Sequence, residues 1–160
     1  MSRHIAISAL AAAALFCGCQ PQQRLAQTDR AIIERQVEAD FNANLAAAEH
    51  LDLLALRACV DDRLMTGFIQ AGAFYPTFDA LADALLPSVR LLANQQITIG
   101  EKRITVLADD IVLLTAHGRY VATTKPGPVI AGDFAWTFVY ARIEGRWKVV
   151  HSHQSTPVSQ

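Results

Sequence analysis

Near the C-terminus the chain runs Trp147-Lys148-Val149-Val150-His151-Ser152-His153-Gln154-Ser155, with two histidines two residues apart. On an extended strand such a pair points to one side. Imidazole titrates near neutrality, so the pair can move protons or supply two ligands to a metal, with His117 or an acid as a third. Asp40 and Asn44 are the other chemically loaded positions, because both fall on or beside the apolar stripe of a helical segment. A carboxylate facing an apolar hollow has its pKa raised by desolvation, which suits general acid-base work. A polar group left unpaired there costs about 1 to 3 kcal/mol, so Asn44 needs either a backbone partner or a wet pocket.

The elements that must hold these groups follow from periodicity. In the last strand the alternation puts Trp147, Val149, His151, His153 and Ser155 on one face, and Lys148 marks the other as nearer solvent. The preceding strand, reached through a tight turn at Glu144-Gly145, carries Phe134, Trp136, Phe138 and Tyr140 on one row and Asp133, Ala135, Thr137, Val139 and Ala141 on the other. Both rows are largely apolar, so both faces of this strand are expected to be covered. The strand Ile111 to Thr124 places His117 in the row of Ile111, Leu113, Thr115 and Arg119, and pattern alone leaves open which row faces inward.

Upstream, Ile33, Val37, Phe41, Leu45 and Ala48 recur at helical spacing, with Thr28 as the expected cap and Asp29 in the first turn. A second short helix spans Asp52 to Val60, ended by Asp61-Asp62, and Met65 to Gln70 reads as a short strand before Gly72. Thr77 can cap a third helix that Pro87 stops or kinks. Beyond Gln96 the strands Gln96 to Ala108 and Ile111 to Thr124 turn at Asp109-Asp110, and Pro126-Gly127-Pro128 makes a rigid loop before the final pair. Helices first and strands afterwards give an α+β class with an antiparallel meander.

With 160 residues, 52% of them hydrophobic, the chain suits one domain with a real core. Its 14 basic and 15 acidic residues nearly cancel and form no basic stripe, which argues against nucleic acid as a partner. At the N-terminus Ser2-Arg3-His4 precedes an uncharged run from Ile5 to Phe16, too short for a membrane span. The following Phe16-Cys17-Gly18-Cys19-Gln20 resembles a bacterial lipoprotein signal in which Cys19 becomes the lipidated first residue. The expected organisation is a signal peptide over 1–18, a flexible tether over 19–27, a domain over 28–156 and a tail over 157–160. This places the protein in the bacterial cell envelope, anchored to a membrane and facing the periplasm or exterior. Loss of Cys17 with the signal leaves Cys59 as an unpaired thiol among Leu54, Leu56, Ala58 and Val60, a buried structural residue rather than a nucleophile.

This order of elements, closing on Gly145-Arg146-Trp147-Lys148-Val149-Val150-His151-Ser152-His153-Gln154-Ser155, resembles the SnoaL-like branch of the nuclear transport factor 2-like superfamily. Further marks are Asp52, Asp61-Asp62, Gly72, the Asp109-Asp110 turn and Gly132. The resemblance implies a cone in which a strongly curved antiparallel sheet wraps the long helix and leaves a pocket at the open end. It also implies dimerisation through the sheet's outer face, and it implies no metal or other cofactor. The family's scaffold carries isomerases, cyclases, epoxide hydrolases and non-catalytic subunits, so fold alone does not set function. No full acid, base and oxyanion set of those enzymes stands at matched positions. Within the implied cone, Phe41, Phe68, Trp136 or Trp147 would wall a pocket containing Asn44, Thr137, His151 and His153, suited to a small, largely apolar ligand. The alternative is a small acid-base enzyme using His151, His153 and Asp40. A third possibility leaves the histidines as hydrogen-bonded polar residues without chemistry.

Overall fold

Ile33, Val37 and Phe41 stand four residues apart and are all buried, so one stripe of the first helix, α1 (Gln27–Glu49), lies on the sheet. In the computed structural model the described residues are 26–156, except 65 and 126. The expected signal, Cys19, the tether up to residue 25 and the tail 157–160 therefore lie outside the described residues. Ala26, not Thr28, precedes α1, and no side chain caps it. The second helix, α2 (Leu53–Ala58), starts where the Asp52 carboxylate accepts from the backbone N–H of Ala55 at 2.9 Å. The third helix, α3 (Phe78–Leu91), starts likewise at Thr77, whose hydroxyl accepts from Ala80 N–H at 3.2 Å.

Pro87 does not end α3, which runs on for four residues to Leu91. The missing N–H leaves only the carbonyl of Asp83 without its helical donor, and Asp83 is exposed to water.

The sheet contains β1 (Phe68–Gln70), β2 (Ala73–Tyr75), β3 (Leu92–Ala108), β4 (Ile111–Thr124), β5 (Val129–Ile143) and β6 (Arg146–Ser155), in the order β2-β1-β6-β5-β4-β3. Strands β3 to β6 form the expected meander. The short β1–β2 hairpin extends it, and β1 runs parallel to β6, so the sheet is mixed rather than purely antiparallel. Three register shifts bend β3, and the curved inner face closes on α1 and α3. On β4 the inward row is Val112, Leu114 and Ala116; on β5 it is Phe134, Trp136, Phe138 and Tyr140. The outer row of β5 is only partly covered, with Asp133 and Ala135 exposed and Ala141 buried.

Strand β6 carries the decisive irregularity. Tyr140 pairs with Val149 and Val139 with His151, which leaves Val150 as an extra residue, a β-bulge. Its cause is a change of neighbour along the free edge of β6. Up to Val149 that edge is held by the segment Cys59 to Asp61, with Val149 N–H donating to Cys59 O and Asp61 N–H to Val149 O, both at 2.9 Å. From Ser152 onward it pairs with β1 instead. Between the two, the Thr66 hydroxyl donates to Val150 O and a His151 ring nitrogen meets Gly67 O at 2.8 Å.

Candidate functional site

The inner face of the sheet, the C-terminal half of α1 and the length of α3 enclose a cavity of about 410 Å³. That volume lies in the range of small-molecule sites. Four expected residues line it: Phe41 and Asn44 from α1, Phe68 from β1 and Trp136 from β5. The Trp136 ring stacks on Phe134 with centroids 3.8 Å apart at 19°. It meets Phe138 edge-on at 5.9 Å, so three inward residues of one strand form an aromatic wall.

The other expected residues are not part of this wall. Trp147 and Val149 do face inward, but the extra residue at Val150 shifts the alternation, and beyond it Ser152 and Gln154 line the cavity. His151 and His153 pair with Val139 and Thr137, so all four belong to the opposite face of the sheet. The placement of His151 and His153 in the hollow is thus corrected by one inserted residue, and that of Thr137 by the plain alternation of β5, which turns it outward beside the inward Trp136. His151 is half-buried, held against Gly67 O, and His153 is exposed. His117 also belongs to the outer row; it is exposed, with its ring nitrogen 4.0 Å from the Glu101 carboxylate. Trp147 is buried but absent from the cavity wall, and its indole N–H donates to the Gln36 side chain at 3.1 Å, tying β6 to α1.

Asp40, one residue before Phe41, is likewise absent from the cavity wall. It lies half-buried in a small group with Cys59, Lys148 and Tyr140. Burial raises its carboxyl above the ordinary value, and the Lys148 ammonium opposes that shift. Cys59 is pushed upward by burial, again opposed by Lys148, and its thiol sits 3.4 Å from Ala55 O, which keeps it in the un-ionised state expected of a structural cysteine. Burial also drives the Tyr140 phenol far upward, reinforced by its acidic neighbours Cys59 and Asp40, and its buried hydroxyl has no hydrogen-bond partner among the described residues. Asp61 and Asp62 are structural. Hydrogen bonding from Arg63 holds Asp61 below the usual carboxylate range, while Asp62 accepts from Phe78 N–H at 2.9 Å and pairs with Arg57 at 3.3 Å.

What the wall does contain is neutral polarity. Ser152, Gln154, Gln70, Gln95 and Ser88 join Asn44, and Tyr120 is the one titratable side chain in it among the described residues. Sequence periodicity misses Ser152 and Gln154 because the alternation is carried straight across Val149-Val150. Two adjacent aliphatic residues inside an otherwise alternating strand are the signal that marks the slip. Among the described residues no group of three or more His, Cys, Asp or Glu side chains gathers as a metal site.

A curved sheet wrapped around a long helix, with a cavity between them, defines a cone-shaped α+β domain of the nuclear transport factor 2-like type. The chain belongs to the SnoaL-like domain family, whose model matches residues 37–159. Solved structures agree on the fold. A nuclear transport factor 2-like superfamily protein from Salmonella enterica serovar Typhimurium str. LT2 is 15% identical, with a TM-score of 0.72 over 82% of this chain and 95% of its own. Hexachlorocyclohexane dehydrochlorinase LinA-type3 from Novosphingobium barchaimii LL02 is 14% identical, with a TM-score of 0.68 over 83% and 92%. A nuclear transport factor 2-like protein of unknown function from Shewanella oneidensis MR-1 is 21% identical, with a TM-score of 0.57 over 77% and 98%. No curated protein matches the chain.

Proposed function

We propose that the domain is a binding module that holds a small, largely apolar molecule in its cone cavity. The observation that carries this reading is the chemistry of the wall. Aromatic and aliphatic side chains dominate it, amides and hydroxyls supply its polarity, and among the described residues no carboxylate, imidazole, ammonium or thiol opens into it. Apolar area draws the ligand in and the scattered polar groups orient it, whereas general acid-base catalysis pairs an acid with a base at the reacting atoms, and among the described residues the wall offers the Tyr120 phenol alone. His151, His153 and Asp40, on which the enzyme alternative depends, stand outside the wall.

The test is titration of the full chain, in detergent, with the neutral apolar fluorophore N-phenyl-1-naphthylamine. Saturable binding of one fluorophore per domain is expected. It should be lost in Ala48→Phe, which fills the cavity from α1, and kept in His151→Ala and His153→Ala. Absence of saturable binding, or binding that Ala48→Phe leaves untouched, would overturn the proposal.

The same reading includes an address and an assembly. Lipidation of Cys19 would tether the domain to the bacterial envelope, and a second copy would cover the outer face of the sheet. Membrane partitioning that survives Cys19→Ser would refute the anchor, and a monomer mass by light scattering would refute the dimer. Among the described residues no helix is long and apolar enough to cross a membrane.

A further inference from the structure

The polar groups of the cavity are clustered, and their chemistry sets a ligand class. Gln70 of β1 and Gln154 of β6 are register partners across the parallel pair, and Ser152, two residues before Gln154, is the partner of Phe68. All three side chains open into the cavity. Among the described residues none has its side chain hydrogen-bonded by the protein, although Ser152 is only 2% exposed. Beside them on β5, Trp136 is the register partner of Gln154 and forms part of the aromatic wall. A flat group resting on that wall therefore has one edge against two amides and a hydroxyl.

We infer that the ligand is an uncharged aryl molecule bearing an adjacent donor and acceptor, as in an amide or lactam, recognised by Gln70, Ser152 and Gln154. Each of these side chains offers both a donor and an acceptor, so each can match such an edge in either orientation. A carboxylate or ammonium would enter a wall that holds no opposite charge, and desolvating an uncompensated ion is far more costly than desolvating an amide. Discrimination of this kind is strong where a buried polar group would otherwise go unpaired. The inference rests on the binding reading above and adds to it the charge and the polar edge of the ligand.

The experiment compares 2-naphthamide, 2-naphthoate and 2-naphthylmethylammonium at pH 7 for displacement of N-phenyl-1-naphthylamine from the full chain. The amide should win by about tenfold or more over both ions. Gln154→Leu should cost the amide about three- to tenfold relative to unsubstituted naphthalene. Gln154→Glu keeps the side-chain volume and should turn the preference toward the ammonium, a gain that a merely destabilised protein cannot produce. If either ion binds the unmodified protein as well as the amide, or Gln154→Glu leaves the preference as it was, the polar-edge inference falls while the cavity reading stands. If none of the three displaces the fluorophore although it binds, the inference falls in the same way. If the fluorophore itself does not bind, both fall.

Discussion

Replacing Tyr140 by Phe should stabilise the protein. The Tyr140 ring is 1% exposed, sits on the inner row of β5 and packs against Phe138 with centroids 6.4 Å apart. Its hydroxyl is buried and finds no partner among the described residues. Leaving a hydroxyl in that state costs about 1 to 3 kcal/mol relative to water. Phe keeps the ring and its contacts and removes only the desolvated oxygen, so a gain of about 1 kcal/mol or more is expected. For a domain of this size that corresponds to a rise of roughly 3 to 5 °C in Tm. Urea unfolding followed by circular dichroism provides the check, with the midpoint moving up and the m-value constant. A loss of about 1 kcal/mol would refute the reasoning, because it would mean that the oxygen is engaged, through a water shared with Asp40 or Cys59. The double variant Tyr140→Phe/Asp40→Asn separates the cases, since independent sites add and a shared water makes them couple.

Asp40→Asn tests the neighbouring carboxylate. Its folded-state pKa lies above the ordinary 3.8, so the folded form binds the proton more tightly than the unfolded chain and wild-type stability falls as pH rises from 3.8 through the raised value. The variant should lack that fall and should exceed wild type above the window but not below it; parallel stability curves from pH 3 to 7 would contradict this. Phe68→Ala, at a residue 1% exposed that meets Phe78 edge-on at 6.0 Å, should cost about 3 to 5 kcal/mol in the same unfolding assay. His151→Ala should cost about 1 kcal/mol by releasing the loop at Gly67 O, and exposed His153→Ala should stay within about 0.5 kcal/mol, both with unchanged fluorophore affinity. Loss of binding in either histidine variant with its fold intact would return the imidazoles to the site.

How much of this structure is legible in the chain depends on whether the signal is local. Strand β4 is read correctly from Ile111 to Thr124 because turn residues stand at both ends. Helices α2 and α3 begin where Asp52 and Thr77 can accept from the first turn. The spacing of Ile33, Val37 and Phe41 names the buried stripe of α1. Strand β1 is read within the short strand Met65 to Gln70, but β2 and the hairpin it closes escape because three residues are too few for alternation to register. The parallel pairing of β1 with β6 joins residues about 84 positions apart, such as Phe68 with Ser152, and periodicity carries no information about partners.

The site fails to read through for a related reason. The aromatic wall is visible in the sequence as one row, because an unbroken strand such as β5 keeps its parity from Phe134 to Tyr140. On β6 parity is right for Trp147 and Val149 and reversed for every residue after Val150. That reversal is imposed from outside the strand, where the edge partner changes from Cys59–Asp61 to Phe68–Gln70 and the backbone absorbs the mismatch with one extra residue. An aliphatic at Val150 disguises the insertion, since it satisfies burial on either face. Regular pairing of Val150 with Val139 would swing His151 and His153 inward and expel Ser152 and Gln154. Deleting Val150 instead removes the extra residue and leaves His151 opposite Val139 and Ser152 opposite Phe138, so the deletion variant should keep its fluorophore affinity, and it is the bulge rather than any single side chain that fixes the chemistry of this cavity.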